Sequence, residues 1–437
     1  MKSARQTAFD ILCKVERDRA YSTLSLASAL KGYSSADKRD VSLVTNLVYG
    51  VIERKITLDY NLSLYLRTGI NKLHPGVLTA LRLGAYQILF ADKIPVRAAV
   101  NESVELVKAN GSSYAAGLVN AVLRKIGDNS LILPDRNDTY NYLSVKYSCP
   151  ENLVRHFIDN YGTENAIHHL EASLSARPLF IRHNLLKCSF DELQNELETI
   201  GAFLERTDVD NCYILRYHGD VTGLSAFEKG FFYVQDMSSQ ICASVLNAKP
   251  GQIIVDCCAS PGGKSFTAAQ FMDNNGKIIS CDIYEHKTEL IKKGALKLGI
   301  KIISTVCCNA QDLYKIIKNA DAVLCDVPCS GLGVIGRKPE IKYKDLHDFK
   351  DLPETQYSIL SSCSQMVRPG GTLMYSTCTL NPEENEEVCD RFLREHDDFC
   401  VSSDERYSSL SGERYINFFA SRISGDGFFI ARFERKA

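Results

Sequence analysis

Four stretches in the C-terminal half of this 437-residue chain end in side chains that can do chemistry. The first is Val255-Asp256-Cys257-Cys258-Ala259-Ser260-Pro261-Gly262-Gly263-Lys264-Ser265, where a strand pattern turns into a helical one. Glycines there let backbone approach a ligand, and helix N-terminal amides bind a carboxylate or a phosphate. A nucleoside-triphosphate loop is disfavoured, because Cys258 stands where that motif needs its first glycine. A dinucleotide fingerprint fails too, since its first two glycines are absent. The second stretch ends at Asp282, 20 residues after Gly262. An acid closing the second strand of such a unit is placed to accept hydrogen bonds from ribose hydroxyls. Taken alone it would read as a solvated strand end; the glycine turn upstream favours a nucleoside-bearing ligand.

The third stretch is Leu324-Cys325-Asp326-Val327-Pro328-Cys329-Ser330-Gly331 and the fourth Tyr375-Ser376-Thr377-Cys378-Thr379-Leu380-Asn381-Pro382-Glu383-Glu384-Asn385. Each runs from an apolar strand to a thiol at the strand's carboxyl edge. Such thiols can be nucleophiles, above all beside helix N-termini that stabilise a thiolate. Residue type does not rank Cys329 against Cys378. Cys257, Cys281, Cys307 and Cys363 read as small core hydrophobes. The chain holds 16 cysteines but no Cys-x-x-Cys pair, so no metal site is expected. Downstream, Arg337, Lys338 and Lys342 surround the single acid Glu340, a pattern that fits RNA phosphate contacts or an ordinary solvated loop.

The elements that must carry these residues follow from periodicity. From Lys249 onward, strands alternate with helices: strands near 253–257, 277–283, 301–307, 322–326, 371–376 and 427–433, with helices after the glycine turn, at 287–298 and at 356–367. This rhythm specifies a doubly wound, mostly parallel sheet over 246–437, which binds ligands beyond the carboxyl ends of its strands. Residues 1–127 read as five or more helices, with breakers at 32–35, Gly69, 74–76 and 110–113, hence an all-α bundle over 1–136. Residues 129–140 look like a linker. Between them, 141–245 mixes helices at 150–173 and 190–200, the second capped by Ser189, with short strands, and reads as a small α+β domain.

A composition of 45% hydrophobic and 24% charged residues excludes a disordered or collagen-like chain. No run of about 18 apolar residues suggests a membrane span, and the amphipathic, charged start lacks a secretory core. A cytoplasmic protein with reduced thiols is expected. The net charge of −2 hides an asymmetry: residues 1–136 hold 19 Lys and Arg against 12 Asp and Glu, and the remainder 32 against 41. A basic N-terminal third points to an anionic partner or to chance surface variation.

The segments Ala259-Ser260-Pro261-Gly262-Gly263-Lys264-Ser265, Asp326-Val327-Pro328-Cys329-Ser330-Gly331 and 376–385, in this order and spacing, resemble the motif set of the RNA (cytosine-5)-methyltransferases. Segments 3–15, 41–50 and 98–124 resemble the helical NusB-like domain that some members carry at their N-terminus. The resemblance covers nearly the whole chain and is weakest between 175 and 235. It implies a Rossmann-like methyltransferase domain with S-adenosyl-L-methionine as cofactor. Cys258, Ala259, Ser260, Pro261, Gly262, Gly263 and Lys264 would surround its methionine part, Asp282 its ribose, and Asp326 would lie near the methionine and the base. The family's usual Asp near the adenine is Asn309 here, with Asp312 as a possible substitute. The resemblance assigns Cys378 as nucleophile on cytosine C6, Cys329 as helper in product release, and Asp326 as the acid at the ring. The implied substrate is 16S ribosomal RNA, free or in an early assembly state, met by a monomer without a membrane. Transfer RNA or 23S ribosomal RNA, and a non-catalytic antitermination-like RNA binder, stay open as alternatives.

Overall fold

The computed structural model describes residues 3–18, 26, 28–30, 38–217, 219–402, 406, 414–419 and 425–437; the expected breaker at 32–35 lies outside them. The chain divides into two compact units, Met1–Leu174 with Ile335–Lys344, and Ser175–Val334 with Asp345–Ala437.

The first unit is helical: α1 (Ala4–Asp18), α2 (Lys38–Glu53), α3 (Lys55–Ser63), α4 (Pro75–Phe90), α5 (Val96–Ala109), α6 (Ala116–Gly127), α7 (Thr139–Tyr147) and α8 (Glu151–Ser173). The apolar residues that recur at helical spacing are those that pack together: Ala8, Ile11, Leu12, Val44, Leu47 and Val48 are all buried in one core with Leu58 and Leu81. Arg82 crosses this core and is held by a two-pronged ion pair to Asp59, at 2.7 Å for each prong. Gly162, at φ 77°, breaks α8 in its middle. The stretch 129–138 contains no regular element, yet it is tied down: Asn61 accepts from Ile132 N (3.0 Å) and donates to its carbonyl (3.1 Å).

Segment 335–344 belongs to this helical unit although it follows the Asp326-to-Gly331 stretch in sequence. Lys342 is 1% exposed and donates to the carbonyl of Glu53 at the end of α2 (3.0 Å). Tyr343 Oη donates to Ile52 O (2.7 Å). Both satisfy carbonyls that a helix C-terminus leaves unpaired. This corrects the reading of Lys342 as an RNA contact: an ammonium buried as a helix cap is not offered to phosphate. Lys338 is exposed and Arg337 half-buried.

Burial pulls the Lys342 ammonium down to about 8 from its ordinary 10.5. The unfolded chain therefore binds the proton more tightly across that window, and stability from this group rises as pH climbs from 8 to 10.5. Urea titrations should show wild type gaining about 3 kcal/mol relative to Lys342→Met over that range. Parallel pH dependences in the two proteins would refute a buried, depressed Lys342.

The second unit holds two sheets. The smaller is antiparallel, built from β1 (Phe180–His183), β2 (Phe203–Arg206), β3 (Cys212–Arg216) and β4 (Phe232–Val234) in the order β2-β3-β1-β4. Helix α9 (Phe190–Glu198) starts in a full capping box between Ser189 and Glu192. The expected 141–245 module is thus divided: α7 and α8 join the helical unit, and 175–245 joins the unit of the large sheet. Side-chain bonds explain the split. Thr57 Oγ1 donates to Val145 O (2.5 Å) and Ile56 N to Ser148 Oγ (3.0 Å). Buried Asn184, in turn, donates to Leu298 O (3.0 Å), and Tyr233 shares a bond with Thr267 (2.8 Å).

After α10 (Met237–Val245) comes the large sheet: β5 (Ile253–Asp256), α11 (Gly263–Phe271), β6 (Lys277–Asp282), α12 (Glu285–Lys297), β7 (Ile303–Cys307), β8 (Ala320–Asp326), α13 (Leu352–Ser364), β9 (Val367–Thr377), α14 (Glu386–Glu395), β10 (Phe399–Val401), β11 (Ile416–Phe418) and β12 (Phe428–Arg435). Its order is β10-β12-β9-β8-β5-β6-β7, with β11 paired to β12. Strands β5 to β9 are parallel; β12 runs antiparallel to β9 and to its other two neighbours, β10 and β11. The parallel, doubly wound core is the one expected. The antiparallel edge was foreseen only as a last strand, because β10 and β11 are three residues each and carry too short a pattern to read. No helix among the described residues is long and apolar enough to cross a membrane.

Candidate active site

Strand order reverses between β5 and β8, so their carboxyl ends open a crevice. Asp256 closes β5 and Asp326 closes β8. Asp326 is held from two sides: Lys264 Nζ reaches Oδ2 (2.7 Å) and Ser376 Oγ donates to Oδ1 (2.8 Å). Burial works against the Lys264 ammonium, but the Asp326 charge outweighs it and holds the pKa above its ordinary value. Lys264 is therefore a fixed cation that keeps Asp326 aimed. Asp256 lies beneath, 1% exposed, accepting from Ser265 Oγ (2.7 Å). Burial lifts its carboxyl to about 7.

Cys329 and Cys378 meet in this crevice, with sulfurs 3.3 Å apart and both half-buried. They are 49 residues apart in sequence. The loops after β8 and β9 bring them together. Val327 N bonds Ser376 O (3.1 Å), Gly333 N bonds Cys378 O (3.0 Å), and Gly427 N bonds Gly333 O (2.9 Å). A Cβ on Gly333 would lie 2.2 Å from Gly427 O and 2.8 Å from Cys378 O, so glycine is required for this approach. The bond to Cys378, then burial, push the Cys329 thiol well up. Cys329 thus holds its proton more tightly than a free thiol, and either sulfur can donate to the other across the 3.3 Å contact.

Cys257, Cys325 and Cys363 also gather, their sulfurs within 4.8 Å of one another, but they are buried in the core away from the crevice. Cys307 departs from the expectation of a core thiol: it is exposed, because β7 is the edge strand.

The remaining expected residues line the same sheet edge. Gly262 N-caps α11 in a left-handed conformation (φ 108°) without a side-chain cap, which leaves the first amides of α11 open. Cys258, Ala259, Ser260 and Pro261 form the turn that leads into it. Asp282 is 6% exposed at the end of β6, and both of its contacts, Tyr284 N (3.1 Å) and Lys287 Nζ (3.6 Å), engage Oδ1. Open amides for a carboxylate and a buried acid for a diol fit S-adenosylmethionine. Asn309 is exposed, and its Oδ1 accepts from Gln311 N (3.1 Å); Asp312 is paired to Lys315. Asp282→Ala should weaken S-adenosylhomocysteine by about 1.5–3 kcal/mol per lost bond, with RNA affinity unchanged. Calorimetry reads this; an unaltered dissociation constant would return Asp282 to a strand-end role.

Sequence reasoning missed Ser376, Gly333, Gly427, Gln356 and the work of Glu384. Their partners lie across loops, and only the Asn-Pro-Glu-Glu-Asn run offered a hint, which reads as a helix start.

Residues 243–434 match the model of the 16S rRNA methyltransferase RsmB/F family, and residues 2–128 that of the NusB family. The probable ribosomal RNA small subunit methyltransferase B of Bacillus subtilis (strain 168) is 36% identical over 99% of both chains. That of Synechocystis is 32% identical over the full length of both. Among solved structures, PH0851 superposes with a TM-score of 0.83 at 25% identity over 100% of this chain and 99% of that one. A methyltransferase homolog protein from Pyrococcus horikoshii gives 0.60 at 26% identity, over 68% of this chain and 99% of that one. With the crevice, the full-length identity and the NusB-type helical domain in hand, the chain belongs to the RsmB/F family of S-adenosylmethionine-dependent small-subunit ribosomal RNA methyltransferases.

Proposed function

We propose that this chain methylates C5 of one cytosine in 16S ribosomal RNA through a covalent bond between Cys378 and C6 of the base. The observation that carries the reading is the pair of thiols, 3.3 Å apart, beside an acid fixed by Lys264 and Ser376. Cytosine C5 is a poor nucleophile until C6 is loaded. The Cys378 thiolate adds to C6, and the C5=C6 pair moves toward C5. In this reading Asp326 takes up a proton when the base enters and donates it to ring N3, which relieves the negative charge that addition places there; the carboxylate left behind pairs with Lys264. Bound S-adenosylmethionine supplies the electrophilic methyl. Release requires loss of the C5 proton and cleavage of the C6–S bond, which restores C5=C6. Cys329 gives its proton to the departing sulfur of Cys378 and takes one from C5; Cys378 then loses its proton to solvent, which restores the thiolate and releases the one proton of the net reaction. The target must leave its stack to reach the crevice, which favours a loop or unfolded RNA. Lys338, exposed, and Arg337 remain phosphate contacts in this reading; Lys342 does not.

Transfer of labelled methyl to 16S ribosomal RNA, with bisulfite mapping of RNA from a deletion strain, tests the reading. One cytosine should lose protection in the strain. Loss in transfer RNA or 23S ribosomal RNA instead would move the substrate, and no transfer to any RNA would leave a binding protein.

A further inference from the structure

Glu384 is a carboxylate with 0% exposure. Among the described residues no Lys or Arg forms an ion pair with it. A buried carboxylate persists only if hydrogen bonds replace its water. Here Oε2 accepts from Ser330 N (2.8 Å) and Gln356 Nε2 (2.9 Å), and Oε1 from Asn381 Nδ2 (3.1 Å) and Thr379 Oγ1 (3.5 Å). Two of these donors directly follow the reactive thiols: Ser330 follows Cys329, and Thr379 follows Cys378. Their hydroxyls also bond each other (2.6 Å). Gln356 Nε2 bonds Pro328 O as well (2.9 Å), so it grips the residue before Cys329 while Glu384 grips the residue after it.

We infer that Glu384 is a positioning residue that clamps the two cysteine loops to one another and so holds the Cys329 and Cys378 sulfurs in register. The inference rests on the two-thiol reading above. A neutral dipole cage gives directional bonds with no competing cation, so the clamp fixes loop geometry rather than merely filling space. Glu384 lies among the groups that raise the Cys329 thiol, after Cys378 and burial. Glu384 is fully buried, so it acts on the chemical step through sulfur placement.

The test uses the full chain with 16S ribosomal RNA and Cys378→Ala assayed alongside. Glu384→Gln keeps the shape but turns one acceptor into a donor facing donors. It should lower kcat about 10²-fold, the loss expected for a misplacement near 1 Å. RNA KM and S-adenosylhomocysteine affinity should stay within about twofold, as befits an interaction felt at the chemical step alone. Without the nearby charge Cys329 ionises at lower pH, so the alkaline limb of the rate profile should shift downward. A packing role would not move that limb. If Glu384→Gln fails to fold, Gln356→Leu removes the donor shared with Pro328 and should show the same kcat-only loss, about tenfold. An unshifted limb with kcat within threefold of wild type, while Cys378→Ala is inactive, overturns the clamp and leaves the two-thiol reading standing. An active Cys378→Ala overturns that reading itself, and the clamp with it.

Discussion

Cys378→Ala should abolish methyl transfer while S-adenosylhomocysteine still binds. In the proposed mechanism, C6 is not loaded without the thiolate, and C5 stays unreactive toward the methyl. Removing the nucleophile of a covalent mechanism costs on the order of 10⁴–10⁶-fold in kcat. The substitution is sterically mild: Cys378 is half-buried, and its carbonyl, which receives Gly333 N, is unaffected. Folding and cofactor affinity therefore serve as internal controls. Single-turnover assays with labelled methyl donor measure the loss. Turnover within tenfold of wild type would end the assignment of Cys378 as nucleophile.

Cys329→Ala should do the opposite to the intermediate. In the proposed mechanism addition to C6 and methylation proceed, but the sulfur 3.3 Å away that would hand Cys378 its proton is gone. The C6–S bond then persists, and enzyme accumulates as an RNA adduct. Denaturing gels after incubation with RNA and cofactor should show a slow band near one equivalent of enzyme. The double variant Cys329→Ala/Cys378→Ala should show none, which ties the band to Cys378. Full multiple turnover by Cys329→Ala, with no band, would reduce Cys329 to a structural thiol.

Much of the site was legible in the chain because its chemistry lies at strand ends. A run such as 320–326 is a buried parallel strand, and the residue that ends it must face the crevice. Asp282, Asp326 and the turn at Gly262 could be placed that way. Lys342 could not, since three basic residues around one acid look the same whether solvated or buried. Its partner, the carbonyl of Glu53, lies 289 residues away in sequence and belongs to a helix end that no local pattern links to it.

Sequence by itself determined the helical character of the first unit, the doubly wound sheet and the order of the motifs, and it offered both thiols as candidates. These follow from periodicity and from side-chain chemistry, which are local. Only the tertiary structure decided that Cys329 and Cys378 touch, that Glu384 is a buried node between their loops, and that 335–344 folds with the helices. Such contacts depend on loop closure over tens to hundreds of residues. Their energies come from burial and from directional hydrogen bonds that exist only once both partners are in place.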